Sequence, residues 1–140
     1  MVLTKVQLVK WIEDLAAIFK ENKEYLTELD AAIGDADHGV NMVRGFCKVI
    51  EKLPEVTSND IGSILKTTGM TLLSSVGGAS GPLYGTFFLR GGMAAASKLE
   101  LTRDDVLELF QAGVEGIVQR GRPEVGDKTM YDVWVPVLFF

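Results

Sequence analysis

Apolar residues recur at intervals of three and four along most of this chain, which is the spacing of one buried face of an α-helix. The clearest case begins at Thr102, forms a capping-box pattern with Asp105, and is expected to end at Gly121. Its apolar face consists of Val106, Leu109, Phe110, Val114 and Ile117. No run of four or more residues alternates apolar and polar side chains as a half-buried strand does. The sequence therefore predicts an all-α fold.

The same periodicity predicts four further helices and the opening of a sixth. In chain order we expect a first helix capped by Thr4, and a second that begins after Asp37, with an apolar pattern from Val40 that stops at Leu53 before Pro54. A third is expected from Asn59 or Asp60 to about Ser75, and a fourth from Ser80 towards Lys98. The apolar stretch from Tyr131 to Phe140 has the composition of a core helix at its start. About five to six helices are thus predicted, in a single domain covering residues 1–140.

Composition excludes several classes of function. A net charge of −5 leaves no basic surface for a nucleic acid. The longest uncharged run, Thr67–Leu89, is interrupted by glycines and Pro82, so we expect two helices rather than a membrane span. Charged residues near the N-terminus leave no room for a signal peptide, which predicts a cytoplasmic protein. The single cysteine, Cys47, falls in an apolar helical pattern and is expected to be buried.

Three carboxylates stand within one short segment, at Asp30, Asp35 and Asp37, with glycines between and after them. Two such charges within about 5 Å would repel by roughly 3 kcal/mol at an effective dielectric of about 20, and a bound cation would reverse that effect. Oxygen ligands without a histidine or cysteine cluster favour magnesium. The plainer alternative is that Asp37 caps the second helix, Asp35 is solvated in a turn and Asp30 is a surface charge.

Two further loops are candidates for binding. The glycine-rich turn Ser74–Gly81 leads into a helix whose first amides could receive a phosphate, although it matches no P-loop pattern. Packing of small residues between helices explains that turn equally well. The polar loop Gly121–Met130 follows the fifth helix, and its simpler interpretation is a connector in which Asp127 caps the next helix. His38 would serve as a neutral hydrogen-bonding group at a helix start.

Taken together and in order, three segments resemble the ADP-binding L subunit of the phosphotransferase-dependent dihydroxyacetone kinases. They are Gly34–Gly39, Gly69–Pro82 and Gly126–Met130. The first motif alone also suits the ATP-dependent glycerone kinases and the nucleotide domain of fatty-acid kinases. The second and third, with Asp132–Pro136, narrow the resemblance to the L subunit, and the likeness runs from Val6 to about Leu138.

The resemblance implies an antiparallel barrel of eight helices with ADP and two magnesium ions at one end. The metal ligands implied are Asp30, Asp35 and Asp37. The nucleotide contacts implied are His38, Gly39, Val40 and Asn41 at the start of the second helix, Ala79 and Ser80 at the glycine turn, and Gly121 and Met130 beside the adenine. Family members continue with further helices, which are expected to be missing here, and Leu138–Phe140 leaves the family pattern.

The resemblance also implies a reaction. ADP stays bound as a cofactor, a phosphohistidine on the M subunit phosphorylates it, and the resulting ATP passes phosphate to dihydroxyacetone on the K subunit. No covalent step on this chain is required. The expected partners are the K and M subunits, with a homodimer left open. The alternatives are an ATP-consuming kinase domain of the glycerone or fatty-acid kinase type, and a non-catalytic helical module that contacts a regulator.

Overall fold

Helices make up most of the structure, a computed structural model that describes residues 1–139. The seven helices within that range are α1 (Lys5–Glu21), α2 (Lys23–Ala31), α3 (His38–Val56), α4 (Ile61–Ser75), α5 (Ser80–Ala94), α6 (Arg103–Gly121) and α7 (Tyr131–Phe139). Two three-residue strands, β1 (Val2–Thr4) and β2 (Glu100–Thr102), complete the described elements. The all-α prediction is confirmed. Phe140, the last residue of the predicted final helix, lies outside the described residues.

Side-chain caps fix the starts of three helices. Thr4 forms a capping box with Gln7 on α1, and Thr102 forms one with Asp105 on α6, as predicted. Of the two candidates for the cap of α4, it is Asp60 whose side chain accepts from the Ser63 amide, at 3.2 Å. These bonds satisfy amides that have no partner inside the helix.

Some predicted helix boundaries are wrong. α3 continues past Leu53 to Val56 with Pro54 inside it, because a proline in the last turn removes only one hydrogen bond. α5 ends at Ala94, short of Lys98. α6 ends at Gly121 as predicted, but the residue that takes the left-handed conformation is Arg122, with φ 48°.

One helix and one strand pair were not predicted. α2 is nine residues long, and its larger apolar residues Tyr25, Leu26 and Leu29 cover only five positions, too few to show a helical repeat. The two strands pair antiparallel, with Leu3 opposite Leu101, and Leu101 is 0% exposed. Three residues are too few to show alternation. The strands join the start of α1 to the start of α6.

Cys47 is exposed on α3, contrary to the prediction that it is buried. Its neighbours Phe46 and Val49 are the residues that face the core. A residue next to a buried position on a helix points about 100° away from it, and that rotation places the thiol outside the apolar face.

The core forms around α4 and α5, whose backbones touch. A Cβ built on Gly69 would lie 2.6 Å from the carbonyl oxygen of Gly85, closer than side chains are tolerated. An aromatic cluster fills the space on the other side of α5, where the ring of Phe87 lies 5.4 Å from Phe88, 5.6 Å from Phe110 and 5.0 Å from Trp134. α3, α4 and α5 follow one another as neighbours, so the starts of α3 and α5 and the end of α4 lie at the same end of the molecule.

Within residues 1–139, none of the helices combines the length and the apolar composition that crossing a bilayer requires.

Replacing Gly69 by alanine is expected to destabilise the fold by about 1–3 kcal/mol, the usual cost of forcing a methyl group into a close-packed contact. The free energy of unfolding from urea titration measures the effect. Met70→Ala is the matched control, since Met70 is the next residue on α4 and is 58% exposed. Equal stability of the Gly69 variant and the wild type would show that α4 and α5 are not in backbone contact.

The stabilisation that Asp105 gives to the start of α6 is expected to be lost at acid pH. The Lys98 ammonium, 2.9 Å from Asp105, and then the Thr102 amide and hydroxyl lower the pKa of Asp105 from 3.8 to about 2. A carboxyl with a lowered folded-state pKa stabilises the fold fully above its usual value, and that stabilisation is lost as pH falls from 3.8 through about 2. The melting-temperature difference between wild type and Asp105→Asn should therefore narrow over this range.

Asp104→Asn is the control, because it removes the same charge one residue earlier in the first turn of α6. If the melting-temperature difference between wild type and Asp105→Asn stays constant from pH 6 to pH 2, the ion pair between Lys98 and Asp105 does not stabilise the start of α6.

Candidate functional site

The three aspartates singled out in the sequence come together in the structure. One carboxylate oxygen from each of Asp30, Asp35 and Asp37 lies within 4.8 Å of the other two. Asp30 is in the last turn of α2, Asp35 is in the following loop, and Asp37 directly precedes α3. Asp35 is exposed and the other two are partly buried. The arrangement is a compact cluster of oxygen ligands at the molecular surface.

Asp30 organises the loop that carries the other two carboxylates. Its Oδ2 accepts hydrogen bonds from the amides of Asp37, at 2.9 Å, and His38, at 3.1 Å. Its backbone carbonyl accepts from the amide of Gly34, at 2.6 Å. A Cβ on Gly34 would overlap Oδ1 of Asp30, so glycine is required there. Ala36 takes the left-handed conformation, with φ 59°, to complete the turn.

These bonds do not fit the plainer interpretation of the segment. Asp37 occupies the N-cap position of α3, but its side chain makes no capping hydrogen bond. The carboxylate that caps α3 is that of Asp30, seven residues before Asp37. The Asp30 carboxylate therefore holds the loop in place through hydrogen bonds and is not a free surface charge.

The carboxylates of the cluster influence one another's protonation. The carboxyl of Asp37, through a shared hydrogen bond and then through its charge, raises the pKa of Asp35 above its usual value of 3.8, and the charge of Asp30 adds to this. Carboxylate oxygens at this spacing are hard ligands, which suit Mg²⁺, an ion commonly held by few carboxylates with water and phosphate filling its other positions. The donor set therefore fits magnesium.

The glycine turn lies against the start of α3. The Ser80 hydroxyl is 3.1 Å from Nδ1 of His38, so the first residues of α5 and α3 are in contact. The turn between α4 and α5 contains Gly78 with φ 67°, a conformation that side chains disfavour. Two helix N-termini thus meet beside the aspartates, and both present amides and a positive dipole end suited to an anion.

The other residues predicted on α3 have different surroundings. Gly39 is buried, and a Cβ there would overlap the Lys23 carbonyl of α2, so this glycine allows α2 and α3 to pack closely. Val40 is 43% exposed. Asn41 is 6% exposed and lies next to the turn, where a Cβ on Gly77 would be 3.3 Å from its Nδ2.

Gly121 lies at the same end of the molecule as the glycine turn. A Cβ on Gly121 would be 3.2 Å from Cδ2 of Leu83, which is three residues after Ser80 on α5. Met130 directly precedes α7 and packs, partly buried, against the core. The predicted roles of both residues beside an adenine stay predictions.

Asp132 holds the loop before α7, a role that the sequence pattern did not reveal. Its two carboxylate oxygens accept from the amides of Gly126, at 2.7 Å, and Lys128, at 2.8 Å. Asp127 instead accepts from the amide of Glu124, at 2.9 Å, so it does not cap α7. The sequence feature that could have indicated this role is an acidic residue in the first turn of a helix, directly after a loop that contains glycine.

A cavity of about 490 Å³ lies between α6 and α7 and is lined mainly by apolar side chains, among them Val114, Val118 and Leu138. None of the predicted site residues lines this cavity. The candidate site is instead an open surface formed by loops, which presents carboxylates and backbone amides.

Replacing Asp35 by asparagine is expected to raise the melting temperature in EDTA, because it removes one of three mutually repelling charges. The same substitution is expected to abolish any stabilisation by added Mg²⁺, because it removes a ligand. Differential scanning calorimetry with EDTA and with MgCl₂ measures both effects. Glu28→Gln, which removes an exposed charge from nearby α2, should change neither. If Asp35→Asn melts at a lower temperature than the wild type in EDTA, repulsion among the three carboxylates does not destabilise the fold.

Comparison with known proteins gives consistent results in sequence and structure. The family model for the DAK2 domain matches residues 32–138. The chain is 56% identical over 138 residues to the ADP-binding subunit DhaL of the PEP-dependent dihydroxyacetone kinase of Escherichia coli, covering 99% of this chain and 66% of that protein. It is 44% identical over 138 residues to the ADP-binding subunit DhaL of Listeria innocua dihydroxyacetone kinase 1, covering 99% of this chain and 69% of that one.

The fold is similar to that of a solved kinase. The dihydroxyacetone kinase of C. freundii in its native form matches with a TM-score of 0.82 at 24% identity, over 96% of this chain and 24% of that one. The same kinase in complex with AMP-PNP and Mg²⁺ matches with a TM-score of 0.78 at 25% identity, over 91% of this chain and 23% of that one. The chain thus spans about two thirds of the length of its DhaL relatives and about a quarter of the C. freundii enzyme. From the match over residues 32–138 and the identity to the two DhaL subunits, the chain belongs to the DAK2 domain family.

Proposed function

We propose that this chain binds Mg²⁺ together with an adenine nucleotide, as the nucleotide-carrying subunit of a dihydroxyacetone kinase. The observation that carries the proposal is the cluster of Asp30, Asp35 and Asp37 oxygens within 4.8 Å of one another, beside the contact of His38 with Ser80. Negative ligands for a cation and positive helix ends for phosphates stand side by side there. That combination suits a diphosphate with a bound metal ion better than it suits the metal ion alone or the diphosphate alone.

Each part of the site would take a separate task. The three aspartates would hold the cation, with Oδ1 of Asp30 available because its Oδ2 is already bonded to the loop. The amides of Gly39 and Val40 on α3 and of Ser80 and Gly81 on α5 stand in the first turns of their helices, where they are free to donate to phosphate oxygens. When bound, Mg²⁺ would neutralise charge on a phosphoryl group in transfer.

His38 and Ser80 would fix the position of one helix start relative to the other. When the Ser80 hydroxyl donates to Nδ1, the imidazole is neutral with its proton on Nε2, and it offers that N–H as a further donor. The chain would therefore contribute position and electrostatics rather than a nucleophile.

Names of the relatives favour ADP as a bound cofactor over ATP as a substrate that exchanges. Four relatives that are 43–56% identical are ADP-binding subunits of dihydroxyacetone kinases, whereas the erythrulose kinases are 26–30% identical. In the proposed cycle, a phosphohistidine on an M subunit phosphorylates ADP, and the ATP formed transfers phosphate to dihydroxyacetone on a K subunit. The complex would be cytoplasmic, and a homodimer of this chain is a further arrangement to test.

Mass spectrometry of the gently purified chain tests the cofactor directly. We expect ADP to co-purify at about one per chain, and Mg²⁺ with ADP at a hundred times its dissociation constant to add about 2.7 kcal/mol to the free energy of unfolding. Asp37→Asn should lose most of this stabilisation, and Glu28→Gln should keep it. Unchanged nucleotide and magnesium binding in the Asp37 variant would exclude the site proposed here.

The same preparation separates the alternatives. A protein that purifies without nucleotide and hydrolyses added ATP in the presence of dihydroxyacetone and the K subunit would be an ATP-consuming kinase domain. A protein that binds a partner chain equally well before and after Asp35→Asn and Asp37→Asn, and binds no nucleotide, would be a helical interaction module.

A further inference from the structure

Arg44 on α3 joins two parts of the candidate site that are distant in sequence. Its Nε donates a hydrogen bond of 3.0 Å to the carbonyl of Ser75, the last residue of α4, and its Nη2 donates one of 2.6 Å to Oδ1 of Asn41. The planar guanidinium suits two acceptors held at fixed positions. It therefore ties the point where the glycine turn begins to the first turns of α3.

The contact with Arg44 also sets the orientation of the Asn41 side chain. An asparagine amide can exchange its oxygen and nitrogen by rotation, but arginine has only N–H donors, so the atom facing Arg44 is the oxygen. Nδ2 is then the atom turned towards the glycine turn, where a Cβ on Gly77 would lie 3.3 Å from it. Since Asn41 is 6% exposed, packing further limits its rotation. Its two N–H groups are left beside Gly77, at the edge of the glycine turn.

Arg44 changes the electrostatics of the same place. The C-terminus of α4 carries unpaired carbonyls and the negative end of a helix dipole, which would repel a phosphate near the turn. The guanidinium bonded to the Ser75 carbonyl offsets that negative end. Helix packing does not require this bond, because α3 and α4 already touch at Gly45, where a Cβ would lie 3.2 Å from Cδ2 of Leu72 on α4.

We infer that Arg44 is a positioning residue of the nucleotide site, which acts by holding the Asn41 N–H donors and the Ser75 end of the glycine turn in place for a phosphate group of ADP. This inference rests on the proposed function, because it takes Mg²⁺ with ADP as the ligand. In this inference Arg44 acts through Asn41 and the Ser75 carbonyl, the two groups to which it is bonded.

Isothermal titration of the full chain with ADP in MgCl₂ tests the inference, with Arg44→Ala, Arg44→Lys and the control Lys48→Ala. Lys48 is exposed one turn further along α3. We expect both Arg44 variants to bind ADP about tenfold more weakly, roughly the value of one hydrogen bond to a charged group. Lysine should not restore binding, because it keeps the charge but cannot bond both acceptors in the plane of a guanidinium. Lys48→Ala should bind as the wild type does.

Two readouts separate positioning from general stability. The unliganded melting temperature of Arg44→Lys should stay close to that of the wild type, and the side-chain amide signals of Asn41 in a ¹⁵N-labelled sample should shift in that variant and remain in place in Lys48→Ala. In a double-mutant cycle, Arg44→Ala should cost much less ADP affinity in an Asn41→Ala background than in the wild type, because the two residues act as a unit.

The outcomes are distinct. Wild-type binding of ADP by the Arg44 variants would overturn the inference and leave the proposed function standing. Additive losses in the cycle, together with an equal fall in unliganded stability, would also overturn it, because they describe a structural residue. A wild-type chain that does not bind ADP with Mg²⁺ would overturn both the proposed function and the inference.

Discussion

The candidate site depends on the two hydrogen bonds that the Asp30 carboxylate accepts from the amides of Asp37 and His38 at the start of α3. They close the segment between α2 and α3 on itself, so that the carboxylates of Asp35 and Asp37 are held near that of Asp30. An ionised acceptor makes such bonds about twice as strong as neutral ones. One side chain thus closes the loop and caps α3, and in the proposed site its Oδ1 would also bind the cation.

The surrounding helices balance the charge that this loop gathers. The aspartates bring negative oxygens together, while α3 and α5 direct their positive ends to the same place, where His38 and Ser80 touch. At the end of α4 the dipole has the opposite sign, and the Arg44 guanidinium is bonded there. The candidate site therefore places negative side chains next to positive helix ends, and the proposed binding of a metal ion together with a phosphate would use both.

Local features of this fold could be read from the sequence, whereas contacts between distant segments could not. The capping boxes at Thr4 and Thr102 and the grouping of the three aspartates involve residues at most eight apart, so the spacing itself carries the information. The pairing of β1 with β2 joins segments nearly a hundred residues apart, and three residues leave no pattern to recognise.

The errors have a similar physical origin. α2 is only nine residues long, so its few apolar residues do not form a detectable repeat. The exposure of Cys47 depends on a rotation of 100° per residue, which a run of apolar residues in the sequence does not resolve. The bond from Arg44 to Ser75 spans 31 residues, and nothing in the spacing of either residue signals it. In the candidate site, the resemblance supplied nucleotide contacts that the residue pattern alone left open.

The backbone contact between α4 and α5 has a mechanical consequence. Gly69 faces Gly85, and further along the same interface Gly62 faces Gly92, so main chain meets main chain without intervening side chains. Side chains can change rotamer to absorb a disturbance, but a helix backbone cannot. The two helices should therefore move as one stiff body, and the glycine turn that joins them should keep its shape when the aromatic cluster deforms. Side-chain motion in the aromatic cluster would then have little effect on the positions of the residues in the candidate site.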